Sequence, residues 1–420
     1  MLDLKFIREN LAASQAALLK RLPADSFNLE ELIALDDDRK ELITKSEALK
    51  SQRNQASKAK PDAETIAVMK QIGEEIKQID SELKNLSDKI QETLSALPNF
   101  PADDVVAGGK ENNEVIFTFG NQPKFNFEFK DHVNLAESLG LIDYERAAKM
   151  SGSGFWCYRS WGALLEWALI SYFINYHQAQ GYQFLIPPFL LSEESAYTSG
   201  HLPKFRDDLF WTQDKLCLNA TSEMMLGNYH RNEILPLKNL PLKYYAYSPC
   251  FRREAGSYRQ EERGMIRGHQ FNKVEMFIFC RPEDSWQLFD ELLEHAKELL
   301  SGLGLHYQVS KLAAGDCSAA MAKTYDLEVW LPSMGIYKEV SSVSNALDYQ
   351  ARRGQTRFKD ASGNNVFVHT LNGSGLATSR LLPAILEQNQ QADSSVKIPE
   401  VLRPYLPGQP EFIYPDDNKI

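Results

Sequence analysis

Cysteine is scarce: the 420 residues hold five (Cys157, Cys217, Cys250, Cys280 and Cys317), widely scattered and with no CxxC pair. A disulfide framework and a paired-ligand zinc site are both unexpected on that basis, and free thiols fit a reducing compartment. Long apolar runs are missing as well. The most apolar stretch, residues 163–174, is interrupted by Glu166 and is too short to cross a bilayer. The opening MLDLKFIREN lacks the apolar centre of a signal peptide. A cytoplasmic chain with no membrane partner is the expectation. Positive charge is in deficit, with 46 Lys and Arg against 57 Asp and Glu and a net charge of -11. That balance argues against a DNA-binding protein. It leaves room for RNA held by a local basic surface, since phosphate contacts need a patch rather than a basic total.

What remains is ordinary for a soluble globular protein, 43% hydrophobic and 25% charged, with length for two or three domains. Residues 1–22 read as a short helix and residues 28–60 as a long one. Leu35, Leu42, Leu49 and Ala56 recur every seven residues in the long helix, with Leu32 leading a second register. Pro61 is expected to break it. The return segment is more regular. Met69, Ile76, Leu83, Ile90 and Leu97 form one seam position, and Ile72, Ile79, Leu86 and Thr93 the other. Sustained heptads imply a supercoiled pair, and the tight turn makes it an antiparallel hairpin closed by Pro98 and Pro101. Such hairpins commonly serve as spacers or dimer handles. The flanks carry Lys45, Lys50, Arg53, Lys58, Lys60, Lys70, Lys77, Lys84 and Lys89, interleaved with acids in a pattern that a merely solvated face would also show. The domain expectation is a helical arm over 1–101, a loop-rich linker over 102–122, and a third segment over 123–420.

The stretch CFRREAGSYRQEERGMIRGHQFNKVE, residues 250–275, organises the rest. Strand-prone residues 244–251 and 271–279 flank a charged loop. Side chains alternate faces along a strand, so Arg252 projects with Glu254, and Phe271 with Glu275. A guanidinium can grip a phosphate or carboxylate with its planar fork, and an aromatic ring can stack on a purine. A solvated charged hairpin would show the same spacing. The whole string, FRREAGS with RG, IR, HQF and KVE, closely resembles motif 2 of class II aminoacyl-tRNA synthetases in its bacterial-type seryl-tRNA synthetase form, and the likeness extends over almost the whole chain.

That resemblance implies an α+β fold: an antiparallel sheet flanked by helices, preceded by the antiparallel coiled-coil arm. It implies serine activation by ATP to seryl-adenylate, then transfer to the 3′ end of tRNA(Ser), and of tRNA(Sec) where present. The arm would embrace the long variable arm of the tRNA by shape and backbone. Residues 162–179, with GYQFLIPPFLL after them, resemble motif 1 and imply a homodimer. HLPKF (residues 201–205) resembles a loop beside the active site, with no side-chain role assigned. Motif 3 is matched by HTLNGSGLATSR (residues 369–380), which puts Arg380 on the γ-phosphate, with Arg252 as the other catalytic arginine. ATP would be held by Arg252, Arg253, Glu254, Arg267, Gly268, Phe271, Glu339, Val340, Ser341, Ser342 and Arg380. Mg²⁺ would sit on Glu339 and Ser342, whose hard oxygens suit it.

Serine would lie among Thr221, Ser222, Glu223, Glu275 and Ser374. Thr221 and Glu223 would take the ammonium and Glu275 and Ser374 the hydroxyl, or the reverse. Three departures stand out. Ser222 replaces the family's usual alanine, Lys338 stands at a position often arginine, and Arg259-Gln260-Glu261-Glu262 replaces a common Gly-Arg-Asp-Thr. Two rivals share parts of this pattern: an inactive tRNA-binding paralogue, and a relative that loads amino acids onto a carrier protein.

Overall fold

The computed structural model describes residues 1–56, 62–255 and 264–415. The turn at Lys58, Lys60 and Pro61 and the departure at residues 259–262 lie outside them. The chain divides into two compact units, Met1–Phe100 and Pro101–Ile420.

In the first unit, α1 (Leu29–Ala56) pairs with α2 (Ala63–Ala96), whose N-terminus is capped by the Asp62 side chain accepting from the Thr65 N–H at 2.8 Å. The segment 1–22 forms two helices, Leu4–Glu9 and Leu11–Leu19, because Asn10 leaves the helical region at φ -134°. The heptads are visible in the burial. Ile76, Ile79 and Ile90 are buried on α2, while Leu35, Leu42 and Leu49 are half-buried on α1. Three of the arm lysines bridge the helices: Lys45 to Glu75 at 2.8 Å, Lys50 to Asp80 at 3.1 Å and Lys89 to Glu31 at 3.2 Å. A buried acid sits at the base of α1. Asp36 is held by Arg8, Arg39 and Lys40, and these partners bring its carboxyl down to about 2 against the burial that would raise it.

The second unit is built on one sheet of β1 (Glu114–Phe119), β2 (Gln183–Leu185), β3 (Leu242–Phe251), β4 (Gln270–Cys280), β5 (Tyr307–Lys311), β6 (Lys323–Leu331), β7 (Ile336–Leu347) and β8 (His369–Ala377). Their order is β1-β5-β6-β7-β8-β4-β3-β2, antiparallel throughout except for the parallel β2–β3 pair at one edge. Strand β1 lies inside the stretch read as linker. The β-branched and aromatic run Val115-Ile116-Phe117 is enough to pair along β5 although Asp, Gly and Asn surround it.

Helices α3 (Trp161–Ala179), α4 (Ser285–Gly302) and α6 (Thr378–Asn389) supply apolar faces to the core on one side of the sheet; a short α5 (Tyr349–Gly354) lies between α4 and α6 in sequence. On α4, Leu288, Phe289, Leu292, Ala296 and Leu299 recur at helical spacing and are buried, each worth about 1.5–3 kcal/mol on full burial for the large side chains. Pro383 lies within α6 without ending it.

Period two then decides what faces each way. On β6, Leu327, Val329 and Leu331 enter the core while Thr324, Asp326 and Glu328 line a cleft. On β4, Val274 and Met276 enter the core while Phe271, Lys273 and Glu275 face the cleft side. One face of the sheet is therefore apolar, while the other carries this charged cleft and, beyond it on β3 and β4, a second apolar cluster with Tyr244, Ala246, Phe277 and Phe279. Among the described residues no helix is long and apolar enough to cross a membrane.

Candidate active site

The polar face holds a small recess that opens into a wider cleft. Strands β3 and β4 deliver its first side chains. Arg252 leaves the end of β3, its backbone N–H donating to His269 O at 2.9 Å and its Nε to Ala220 O at 3.3 Å. Its guanidinium lies over the Phe271 ring, 5.2 Å from the centroid. Glu254 adopts a left-handed φ of +51° and forms an ion pair with Arg267. From the opposite wall, the Arg380 Nη1 donates to Glu339 O at 2.8 Å and lies 3.6 Å from Glu339 Oε1. Gly268 closes the recess because no side chain fits there: a Cβ would meet the Trp156 ring at 2.1 Å.

Beside the recess lies a second polar cluster centred on Glu275 Oε2. It accepts from Thr221 Oγ1 at 3.5 Å, from Ser374 Oγ at 3.4 Å, and from the Lys273 ammonium. Lys273 Nζ also donates to Thr221 Oγ1 at 2.7 Å. Glu223 stands nearby at the start of a short helix, Glu223–Leu226, and Gln350 Nε2 on α5 donates to its Oε1 at 2.6 Å. Burial, and then the charge of Glu275, pushes the Glu223 carboxyl up to about 7.

Most of the residues picked from sequence meet here. Arg252, Glu254, Arg267, Gly268, Phe271, Glu339, Val340 and Arg380 line the recess, Thr221, Glu223 and Glu275 line the cleft, and Ser374 lines both. Three are placed elsewhere. Ser222 is turned from the cleft, its Oγ 2.7 Å from Ser248 Oγ, so the hydroxyl that replaces the usual methyl is satisfied away from any ligand. Arg253 is directed outward and donates from Nη1 to Asp207 O at 3.0 Å. Ser341 is buried and donates to Ser374 O at 2.7 Å. Ser341 lies within β7, where alternation turns it from the face of Ser342. Ser222, at the cap of the short helix, and Arg253, past the end of β3, are placed by the turns they occupy.

Glu339 and Ser342 line the same cleft. Ser342 Oγ donates to Asp326 Oδ1, and burial, followed by the charge of Glu339, drives the Asp326 carboxyl well above its ordinary range. The donors are oxygen only, and two from protein plus phosphate and water oxygens would complete the shell of a hard divalent cation such as Mg²⁺.

Four residues were not singled out from sequence. Lys273 shares the period of Phe271 and Glu275 and was visible in the quoted string. Gln350 and Arg353 gave no signal, and His201 lay in the HLPKF stretch likened to a loop beside the active site, without a side-chain role. Arg353 donates to Tyr197 O at 2.9 Å and Leu202 O at 2.7 Å, fixing the loop that carries His201. His201 lines the cleft with Nδ1 2.9 Å from Ser199 Oγ, and desolvation, then Arg252, Lys273 and Arg353, hold its imidazole below the usual histidine range. Among the described residues no group of three or more His, Cys, Asp or Glu side chains could hold a metal by itself.

The chain is similar to known proteins over nearly its whole length. Residues 1–101 match the family model for the seryl-tRNA synthetase N-terminal domain, and residues 205–389 that for the tRNA synthetase class II core domain (G, H, P, S and T). A Serine–tRNA ligase 2 from Clostridium acetobutylicum is 50% identical, covering 97% of this chain and 99% of that protein. The Serine–tRNA ligase of Geobacter sulfurreducens is 45% identical over the same shares. Among solved structures, the seryl-tRNA synthetase of Pyrococcus horikoshii complexed with ATP superimposes with a TM-score of 0.93 at 34% identity, covering 99% of this chain and 100% of that one.

Proposed function

The chain belongs to the seryl-tRNA synthetase family, and on that premise we propose that it holds serine among Thr221, Glu223, Glu275 and Ser374 and ATP between Phe271 and Arg380. Its reaction is serine–tRNA ligation. Serine and ATP give seryl-adenylate and pyrophosphate, and the seryl group then passes to the 3′ end of tRNA(Ser). The observation that carries the residue assignment is the gathering of Thr221, Ser374 and Lys273 on one oxygen of Glu275, beside Arg252. A buried carboxylate with two hydroxyls matches the ammonium and hydroxyl of serine. It also penalises an analogue lacking the hydroxyl, because the site's own groups would be left unpaired.

The chemistry is positioning and charge neutralisation. The serine carboxylate, ionised at neutral pH, attacks the α-phosphate in line and needs no general base. Arg252 reaches from the edge of the serine cluster into the recess, so it can bridge carboxylate and α-phosphate. Arg380 faces it to hold the outer phosphates. Glu339 and Ser342 would hold Mg²⁺, which would supply positive charge to offset that of the phosphates.

In the arm, Lys45, Lys50 and Lys89 are engaged across the helices, so tRNA contact falls to the exposed Arg53, Lys70, Lys77 and Lys84. Homodimerisation uses α3 and β2. There Trp167 is 57% and Ile186 72% exposed beside an open sheet edge, an apolar surface that calls for a partner.

The test is ATP–pyrophosphate exchange with serine, threonine, alanine and glycine offered separately. Exchange with serine alone is expected, and Arg252→Ala should nearly abolish it. Near-normal exchange in that variant would sink the assignment of Arg252, and exchange with another amino acid would sink that of the pocket.

A further inference from the structure

The serine cluster already contains an ammonium group of its own. Lys273 is nearly buried, its side chain 7% exposed, and its Nζ is held by Glu275 Oε2 and, at 2.7 Å, by Thr221 Oγ1. In either form of the pocket assignment above, on which this inference rests, one of these two oxygens would take the serine ammonium and the other its hydroxyl. Two ammonium groups cannot share one seat at hydrogen-bond distance, because both the volume and the charge forbid it. Lys273 also has somewhere to go. Its side chain lines the recess as well as the cleft, on the same face of β4 as Phe271, and shares the recess wall with Arg252 and Arg380. A lysine is suited to such a move, a compact charge on a flexible four-carbon stem.

We propose that Lys273 is an internal stand-in for the substrate ammonium, seated on Thr221 and Glu275 until serine displaces it into the recess, where it contacts the reacting carboxylate and α-phosphate. The exchange keeps the charge of the cluster balanced at each stage. The cluster passes from one ammonium to another, so Glu275 is never left buried without a cation beside it, which would be strongly unfavourable. It also couples the two halves of the site. The cation that assists the phosphate arrives there only when an amino acid bearing its own ammonium takes the seat. A hydroxy acid lacking the amine leaves Lys273 in place and the recess short of one positive charge.

The experiment is pyrophosphate exchange by the full-length enzyme and its Lys273→Met variant, with serine kinetics measured with and without methylammonium. In the variant kcat should fall by about tenfold or more through loss of a cation at the reacting phosphate. The KM for serine should stay level or drop, because the competitor is gone. Methylammonium should become a competitive inhibitor, about tenfold or more stronger than against the unmodified enzyme, by filling the seat left beside Glu275. A raised KM with unchanged kcat would overturn the proposal, as would equal inhibition of both enzymes. If the variant does not fold, crystals of the unmodified enzyme decide. Lys273 Nζ should remain on Glu275 with 3-hydroxypropionate and leave it with serine, and an unmoved Nζ in both refutes the exchange. Glu275→Gln separates the two layers. An unchanged serine KM in that variant removes the pocket assignment and the proposal with it, whereas a raised KM alongside an unaffected Lys273→Met removes only the proposal.

Discussion

Gln350 is the residue whose loss should report most directly on the serine pocket. Its amide joins three pieces of chain: Nε2 donates to Glu223 Oε1 at 2.6 Å and to Ser199 O at 2.9 Å, and Oε1 accepts from Thr370 Oγ1 at 2.7 Å. Replacing it by leucine keeps the volume and removes all three bonds. The bond to Glu223 favours the ionised carboxylate, and hydrogen bonds to charged groups contribute about 1.5–3 kcal/mol. Losing it should therefore raise the Glu223 carboxyl from about 7 by a further ~1–2 units.

Near pH 7.5 the unmodified carboxylate is mostly ionised, while the variant's would be mostly protonated and would no longer attract an ammonium. The expected result is a serine KM raised by about 5–50-fold at pH 7, narrowing to about twofold or less by pH 9 as the carboxyl ionises again. The assay is pyrophosphate exchange over that range. Taking KM as the ratio of variant to unmodified enzyme lets the titration of serine itself cancel. Lost bonds to Ser199 and Thr370 would shift the ratio at every pH alike, so only the slope tests the idea. A ratio that does not change with pH, in a variant that remains folded, refutes the reasoning.

Glu166 on α3 accepts from Thr378 Oγ1 and Asn272 Nδ2, and burial pushes its carboxyl up to about 7. The folded protein thus keeps a proton that the unfolded chain has lost above about 4.5. Stability from this group falls as pH rises from ~4.5 to 7, and Glu166→Gln should gain on the order of 3 kcal/mol relative to the unmodified chain across that window. Denaturant unfolding at the two ends checks it, and a gap that does not change with pH refutes it. A Cβ at Gly375 would meet His177 Nε2 at 2.3 Å, so Gly375→Ala should cost about 1–3 kcal/mol and raise the serine KM by displacing Ser374. The double variant with His177→Ala should recover much of both, and failure to recover would place the strain elsewhere. Removing residues 1–100 should destroy tRNA charging and spare adenylate formation, since the second unit carries its own core and the whole cleft. Equal loss of both activities would count against the arm's role.

How much of this was legible before any coordinates follows the range of each interaction. Heptads and strand alternation are local rules, so the paired helices, the strands β3 and β4, and the shared faces of Arg252, Phe271 and Glu275 were within reach of the sequence, whereas Arg380 came only with the likeness to motif 3. Alternation also exposes Lys273, two residues from Phe271 and from Glu275, on their face. Ser222 differs: the strand before it ends at Leu218 and a helix starts at Glu223, so only the fold set its direction.

What the tertiary structure alone decided is which distant groups meet, and what their meeting does to them. Gln350 reaches Glu223 across 127 positions, and Thr378 reaches Glu166 across 212. No periodicity links such pairs; only the folded sheet and the helices packed on it bring them within 3 Å. The charge states follow the same division. A glutamate in sequence is an acid near 4.5, and Glu166 and Glu223 become acids near 7 because the fold withdraws water from them, and in Glu223 adds a second carboxylate beside it.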